Sequence, residues 1–449
     1  MSIIHDQAMH YIYQQVLERL LRHMSQAQRA SLQLLIQRLL VAAGGPDYIG
    51  NFRLLVVQGS DRRSARLLAV LRAAQLSIAL RAPVTFKLRV LVACLPATSS
   101  ALLEQHERSF SALFMQDDPR VQLEVISAGT LVPFHRRPVL ALEPWPQARD
   151  ALLQFGHLVD ARPEVLLGCR MHLELADAIR LALAGQPCID ALVTAMPWCQ
   201  RRRFLAWARK LLRLGVETGP GPSHAGMGSL LAGLGQLHGV AGLLAHSAIE
   251  PEAQALMRVL ALDDLLPQLL SEGELDLVMG WRFEPGQDCS ALAAFLDPLA
   301  LAQLHELQAR CQAPLLPRAP LRLVSYQGED RAQAAQQVRL GKAYGIGPVQ
   351  LECLLYRPFV DRGQGLERFL RSRHADMLVA LPYLHRALQG EPCPDAVKDW
   401  LVNTSGLALA QLRTLYAGRL DEGPRRLLAS LARRDVELRL LPPPDEALG

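Results

Sequence analysis

The chain has 449 residues, of which 50% are hydrophobic and 20% charged, and this balance excludes an intrinsically disordered protein. Aromatic residues are scarce, at 5%, while Leu and Ala are abundant, so helices are favoured over an all-β sandwich. A net charge of +5 is small for this length, whereas nucleic-acid-binding proteins concentrate basic residues on one element. We therefore expect a globular protein with about two to four domains that binds no nucleic acid.

Arginine supplies almost all of the positive charge, because only four of the 48 basic residues are lysines. Asparagine is equally rare, at Asn51 and Asn403 only. A secreted effector that avoids ubiquitin attachment would lack lysine, but this hypothesis does not explain the missing asparagines. Codon bias in a GC-rich bacterial genome explains both, so we interpret the chain as a bacterial protein and keep the secreted effector as an alternative.

The eight cysteines form neither a C-x-x-C pair nor a spacing typical of metal ligands. The N-terminus lacks the basic stretch and apolar core of a secretory signal. These patterns predict a reducing compartment, the cytoplasm, with no metal site. No motif indicates a cofactor.

Residues 1–45 are predicted to form a helical cap. Apolar residues recur at three- and four-residue spacing up to about residue 43. Gly44, Gly45 and Pro46 then end the helical pattern. We expect a helical hairpin that precedes the first α/β unit.

Strand-like and helix-like segments alternate over residues 46–215. The predicted strands are continuous apolar stretches, as expected for strands that helices cover on both faces. They are 53–57, 88–94, 121–126, 165–167 and 189–195, and the predicted helices are 64–77, 101–115 and 173–184. This order predicts an α/β domain of the doubly wound, Rossmann-like kind with a mostly parallel sheet.

One phrase occurs near each end of the chain. LLVVQGSDR at 54–62 recurs as LVSYQGEDR at 323–331, each time between a strand-like and a helix-like stretch. Neither Gln-Gly loop matches the known phosphate-binding motifs. Because Asp61, Glu329 and Asp330 stand where the helices begin, we predict that they cap these helices and disfavour an external phosphate.

The repeat predicts a second Rossmann-like domain, related to the first, over residues 316–449. Its predicted strands are 321–326, 349–356, 377–381 and 436–441. A helix is predicted at 407–416, after Thr404 and Ser405 and before Gly418. A second echo supports the duplication, because 190–198 resembles 376–383 and, more loosely, 276–281. We interpret each of these segments as a buried strand that ends at a Pro or Gly turn.

Residues 216–315 are predicted to be a glycine-rich, helical middle region. Its part 218–249 carries no Asp, Glu, Lys or Arg, but repeated glycines interrupt it, so we expect no membrane span. Backbone amides at its start are suited to hold an anion such as a phosphate. The candidate ligand-binding residues there are Gly219, Gly221, Ser223, His224, Gly226, Gly228 and Ser229.

Arg373 and Asp376 complete the candidate set, because R-x-x-D is the spacing that grips a guanine edge and a phosphate in cyclic dinucleotide sites. No catalytic residue is predicted. The sequence around Ser223 departs from the G-x-S-x-G nucleophile motif at Ala225, and His224 is not part of a metal-binding spacing.

No acid, base and nucleophile converge in the sequence. We therefore expect an accessory or regulatory protein that acts through contacts with other proteins and senses an anionic, nucleotide-like ligand. The alternative is a transferase that acts on a nucleotide-linked substrate between the two units. Ser223, His224 and Arg373 would then be its site residues.

Overall fold

A computed structural model describes residues 3–59, 61–82, 84–94, 100–127, 130–134, 149, 153–154, 156–157, 175, 178–183, 188–215, 258–282 and 345–418. Within these residues the chain forms one six-stranded sheet with a hydrophobic core on each face. The predicted α/β class with a largely parallel, loosely Rossmann-like sheet is confirmed.

The strands stand in the order β4-β3-β2-β1-β5-β6. They are β1 (Arg53–Gln58), β2 (Lys87–Cys94), β3 (Val121–Ser127), β4 (Thr130–Pro133), β5 (Ala191–Thr194) and β6 (Arg258–Ala261). All neighbours are parallel except β3 and β4, which form an antiparallel pair at one edge. The strands predicted at β1, β2, β3 and β5 are confirmed, and the one at 165–167 lies outside the described residues. β6 comes from the predicted middle region.

Besides the helical segment 178–183, the described parts of the chain contain twelve α-helices with assigned bounds. They are α1 (Ile3–Arg22), α2 (Gln26–Ala43), α3 (Arg62–Ala79), α4 (Ser100–Ala112), α5 (Trp198–Gly215), α6 (Leu266–Leu269), α7 (Glu272–Met279), α8 (Pro348–Tyr356), α9 (Leu366–Arg373), α10 (Leu381–Gln389), α11 (Asp395–Ser405) and α12 (Leu409–Ala417). Short 3₁₀ helices lie at Pro46–Asn51, Asp361–Gly363 and Ala375–Ala380. No helix in the described ranges is long and apolar enough to traverse a bilayer.

The two N-terminal helices are confirmed. Ser25 and Gln28 form a reciprocal capping box at the start of α2, and Gly44 ends this helix with a φ of 93°, which favours glycine. Both N-terminal helices pack on α3. Because α3 lies between the N-terminal helices and the sheet, thirteen of its 18 residues are buried, among them the polar residues Arg72, Gln75 and Ser77.

Side chains alternate between the two cores along the central strands. Leu54 and Val56 of β1 belong to the core with α1–α4, whereas Leu55 belongs to the opposite core. That second core contains residues of helical segment 178–183, of α5 and of helices α8–α12. Both faces of the sheet are therefore covered, as the continuous apolar runs predict.

Two strands predicted in the C-terminal region are wrong. Residues 349–356 form most of helix α8, which begins with Pro348 at its first position, while the Gln350 side chain accepts a hydrogen bond from the Gly347 N–H at 3.1 Å. Residues 377–381 belong to the 3₁₀ helix Ala375–Ala380 and the start of α10. Short apolar runs do not distinguish buried strands from buried helices.

The second echo is wrong for the same reason: only 190–198 contains a strand, whereas 276–281 begins inside helix α7. The predicted helix at 407–416 is confirmed, together with its end at Gly418. It begins later than expected, because Thr404 and Ser405 end α11. A second doubly wound unit is not shown, and its other predicted strands, 321–326 and 436–441, lie outside the described residues.

Candidate functional site

The candidate site lies at the carboxyl ends of β1 and β5. The chain moves from β1 to β2 and β3 on one side, while β5 and β6 lie on the other side of β1. In open α/β sheets this point of reversal is where ligands bind, with their anionic groups on the N-termini of the following helices. Here the following helices are α3 after β1 and α5 after β5.

The N-terminus of α3 is occupied by the chain's own carboxylate. Asp61 is the N-cap residue, and its Oδ1 accepts a hydrogen bond from the Ser64 backbone N–H at 3.0 Å. The side chain is 3% exposed. Burial raises the pKa of Asp61, while the hydrogen bonds from Ser64 oppose this shift. The predicted capping role of Asp61 is confirmed.

The N-terminus of α5 is capped in a similar way by a carboxylate that follows the neighbouring strand β6. Asp263, which follows β6, accepts a hydrogen bond from the Trp198 backbone N–H at 3.0 Å. Its second oxygen accepts one from Arg201 at 2.5 Å, and Arg201 also donates to the Met196 carbonyl at 2.6 Å. An anion is therefore already in place at both helix N-termini.

Asp263 was not found from the sequence, because it is 65 residues away from Trp198 in the chain. A capping residue within three positions of a helix start is visible as a local pattern, as at Asp61. A carboxylate that reaches a helix from another strand end carries no such signal. The ion pair between Arg62 and Asp276, 3.5 Å apart, was missed for the same reason.

One buried polar group at this edge lacks a partner. Gln58, the last residue of β1, is 2% exposed, and its Oε1 has no hydrogen-bond partner within the described structure. Thr194, the last residue of β5, accepts a hydrogen bond from the Met196 N–H at 3.1 Å. Neither residue belongs to a set of side chains arranged for acid–base or nucleophilic chemistry.

Trp198, the first residue of α5, is an exposed aromatic group, with 60% of its surface accessible. The guanidinium groups of Arg201 and Arg202 lie 5.6 and 5.9 Å from its ring centre. These distances fit cation–π contacts. Arg201 is also held by Asp263, so the local positive charge is partly neutralised.

The predicted ligand residues fall into two groups. Gly219, Gly221, Ser223, His224, Gly226, Gly228 and Ser229 lie outside the described residues. Arg373 ends α9, where its Nε lies 3.8 Å from Glu352 and its guanidinium lies 6.0 Å from the centre of the Tyr356 ring. Asp376 is exposed in the following 3₁₀ helix.

His374 lies between these two candidates. Burial lowers the pKa of His374, Asp376 raises it and Arg373 lowers it. Its ring contacts Phe369 and Trp400 at centroid distances of 5.2 and 5.3 Å. The surroundings of the predicted R-x-x-D motif are thus aromatic packing and an ion pair with Glu352.

An extensive buried charge network lies at the opposite end of the sheet, where the strands begin. The Arg72 guanidinium, fully buried, donates to Asp118 and to Gln75, both at 2.7 Å, and to the carbonyls of Leu113 and Phe114. Burial raises the pKa of Asp118, but hydrogen bonds from Arg120 and the charges of Arg72 and Arg120 give a net lowering.

This network ties the end of α4 to the start of β3 and is a structural element. Asp118 also accepts hydrogen bonds from the backbone and side chain of Arg120, so its oxygens are bound on both sides. Nowhere in the described ranges do three His, Cys, Asp or Glu side chains form a group that fits a metal ion. Comparison with protein-family models, with curated proteins and with solved structures finds no match to this chain.

Proposed function

We propose that this chain is an accessory or regulatory protein that acts through contacts with other proteins and has no catalytic role. The observation that supports this function is the occupation of both helix N-termini at the sheet edge by Asp61 and Asp263. In Rossmann-like enzymes these positions receive the phosphate groups of the substrate or cofactor. A carboxylate in that place repels a phosphate and already accepts a hydrogen bond from one of the amides that would bind it.

The free thiols of Cys188 and Cys199, both exposed, support a reducing compartment, which we propose to be the cytoplasm. We also keep the proposal that the protein senses an anionic, nucleotide-like ligand. Its candidate residues remain Ser223 and His224 with their neighbouring glycines. This segment carries no acidic residue between 218 and 249, in contrast to the helix N-termini beside the sheet, which Asp61 and Asp263 cap.

A thermal-shift screen with nucleotides and cyclic dinucleotides tests this function. The variants are Asp263→Asn, which removes the charge at the N-terminus of α5, and the double variant Ser223→Ala/His224→Ala. We expect no nucleotide to stabilise the protein through the sheet edge, so Asp263→Asn should leave every wild-type response unchanged. A shift that the double variant loses would support the anion-sensing segment.

Two results would contradict the proposal. One is a nucleotide-dependent shift that survives in the double variant and changes by several degrees in Asp263→Asn, since the sheet edge would then bind the ligand. The other is turnover: release of free nucleotide from a nucleotide-linked substrate by the wild type, lost in Ser223→Ala/His224→Ala, would favour the transferase.

A further inference from the structure

A cluster of exposed apolar side chains lies at the end of the sheet where the strands begin. Five of the twelve large apolar side chains exposed in the described residues occur there. We call them the amino-edge face: Leu34 (59% exposed), Val41 (77%), Tyr48 (63%), Leu80 (43%) and Val84 (50%). Single exposed apolar residues are ordinary, but a cluster of them marks an interaction site.

Direct contacts connect the two helices of the amino-edge face. Leu34 is on the outer side of α2, and Leu80 is the C-cap residue of α3. The neighbouring residues Gln33 and Arg81 are hydrogen-bonded, because the Arg81 guanidinium donates to Gln33 Oε1 at 3.1 Å. The outer side of α2 and the end of α3 therefore form one surface.

The 3₁₀ helix Pro46–Asn51 joins the other members. The Tyr48 ring lies against the turn that ends α2, 3.9 Å from the position of a Cβ atom on Gly44. Val84 lies against Gly50 so closely that a Cβ atom there would be 2.9 Å from it. Val41 stands three residues before that turn, so the face continues from α2 to Val84.

Two arginines that have no carboxylate partner among the described residues flank the amino-edge face. Arg81 and Arg258 are exposed, and their hydrogen-bond acceptors are neutral: Gln33 Oε1 for Arg81 and the Ala42 carbonyl, at 3.0 Å, for Arg258. In contrast, Arg38 is neutralised by a two-fold hydrogen bond to Asp264, at 2.9 and 2.8 Å. One such positive charge therefore lies beside Leu34 and the other beside Val41, because Arg81 bonds to Gln33 and Arg258 to Ala42.

We propose that the amino-edge face binds an amphipathic helix of a partner protein, with acidic residues flanking the apolar stripe of that helix. Leu34 and Val41 are seven residues apart, which corresponds to two helical turns or about 10 Å, the spacing that an i, i+3, i+4, i+7 stripe on a docked helix matches. A stable subunit interface needs about 20–30 residues on each side, so a short stripe fits one helix better than a second copy of the chain. This proposal rests on the proposed function, because it names the partner's chemistry.

Two designed peptides of about 20 residues, long enough to form a helix, test the proposal. Both carry leucines at i, i+3, i+4 and i+7; one has glutamates beside this stripe and the other has lysines. Fluorescence anisotropy should show binding of the acidic peptide to the full-length protein. Arg81→Glu/Arg258→Glu should weaken this binding about tenfold and bind the lysine peptide instead.

Two controls separate charge from packing. Arg202→Glu/Arg209→Glu changes the same number of charges on the exposed side of α5 and should leave the binding of the acidic peptide unchanged. Val41→Asp, at a position 77% exposed, should abolish binding while the circular dichroism spectrum stays that of the wild type.

Three outcomes would overturn the proposal. They are equal or absent binding of the two peptides, self-association in sedimentation equilibrium that Val41→Asp abolishes, and cosedimentation with phosphatidylserine vesicles that the same variant abolishes. The second outcome would show another copy of the chain as the occupant, and the third a membrane surface. None of them affects the nucleotide screen, so the failure of this surface and that of the proposed function are distinguishable.

Discussion

Arg72 and His157 are both completely buried, but they are held in different ways. The Arg72 guanidinium donates to Asp118, Gln75 and two backbone carbonyls, so its charge is compensated. Both ring nitrogens of His157, in contrast, lack a hydrogen-bond partner in the described structure, and the ring packs on Phe359 at a centroid distance of 5.6 Å. His157 is therefore a residue at which acid should weaken the fold.

Acidification should destabilise the protein through His157. Burial, with a smaller contribution from the charge of Arg357, lowers the pKa of His157 from 6.5 to about 3. As the pH falls below 6.5, the unfolded chain takes up a proton that the folded protein does not accept until about pH 3. Stability is lost across this window by about 1.4 kcal/mol per pH unit. The free energy of unfolding of the wild type and of His157→Leu is measured by urea unfolding between pH 4 and 6. It should fall less steeply with decreasing pH in the variant.

Phe359→Leu is the matched control for this measurement. It replaces the phenyl ring that packs on His157 by a smaller side chain but keeps the imidazole. The free energy of unfolding should therefore fall by the same amount at every pH. An equal pH dependence of the unfolding free energy in the wild type and in His157→Leu would show that the imidazole has a hydrogen-bond partner in solution. The pH dependence would then have to come from other groups.

At the level of secondary structure, local patterns predicted four of the six described strands and the helix at 407–416, but they gave strands at 349–356 and 377–381, where the chain is helical. Strands β1, β2 and β3 were found because continuous apolar runs alternate with helix-like segments between residues 53 and 127. Residues 349–356 have the same apolar character, but they form α8, since tertiary packing and Pro348 decide the conformation.

The candidate site shows the same division between local and distant contacts. The capping of α3 by Asp61 was predictable because donor and acceptor are three residues apart. The capping of α5 by Asp263 depends on the placement of β6 beside β5, which no sequence pattern revealed. Pairing between strands 60 or more residues apart is decided by the whole fold.

Two glycines with the same backbone conformation should respond differently to alanine. Gly390 ends α10 with a φ of 89° and has open space around it, whereas Gly363 has a φ of 76° and faces Tyr416 and His385. An added Cβ at Gly363 would lie 2.9 Å from Tyr416 Cε2 and 3.0 Å from His385 Cε1. Gly390→Ala should cost about 1–2 kcal/mol from the left-handed conformation alone, and Gly363→Ala about 1–3 kcal/mol more from the overlap.

Chemical denaturation of both variants at neutral pH checks this difference. The clash at Gly363 should also disturb the hydrogen bond between His385 Nδ1 and the Tyr416 hydroxyl, which are 3.0 Å apart. Near-ultraviolet circular dichroism should therefore change in Gly363→Ala but not in Gly390→Ala. Equal losses of stability would mean that α10 and α12 move apart easily at this contact.

For the molecule as a whole, the sheet contributes side chains to two hydrophobic cores, one on each face. One core joins it to α1–α4, α6 and α7, and the other joins it to segment 178–183, α5 and helices α8–α12. A buried ion pair strengthens the second side: Arg89 of β2 pairs with Glu124 of β3 and donates to the Ala182 carbonyl at 2.6 Å. Sheet and C-terminal helices should therefore open as one cooperative unit.

Arg149 and Gly156 contact the C-terminal helices directly, and these contacts allow a test of this cooperativity. Arg149 donates to the Gly406 carbonyl at 2.7 Å, and Leu354 packs against Gly156, leaving no space for a Cβ atom there. Leu354 is 2% exposed, so Leu354→Ala should cost about 2–5 kcal/mol.

Hydrogen exchange followed by mass spectrometry should show faster exchange in Leu354→Ala both in α8–α12 and in β1 and β2, since these elements share one core. Leu39→Ala is the matched control: it removes the same side chain from the other core, where Leu39 is also fully buried. It should accelerate exchange in α1–α3 and leave α8–α12 as in the wild type. If Leu354→Ala changes only α8–α12, the C-terminal helices form a cooperative unit separate from the sheet.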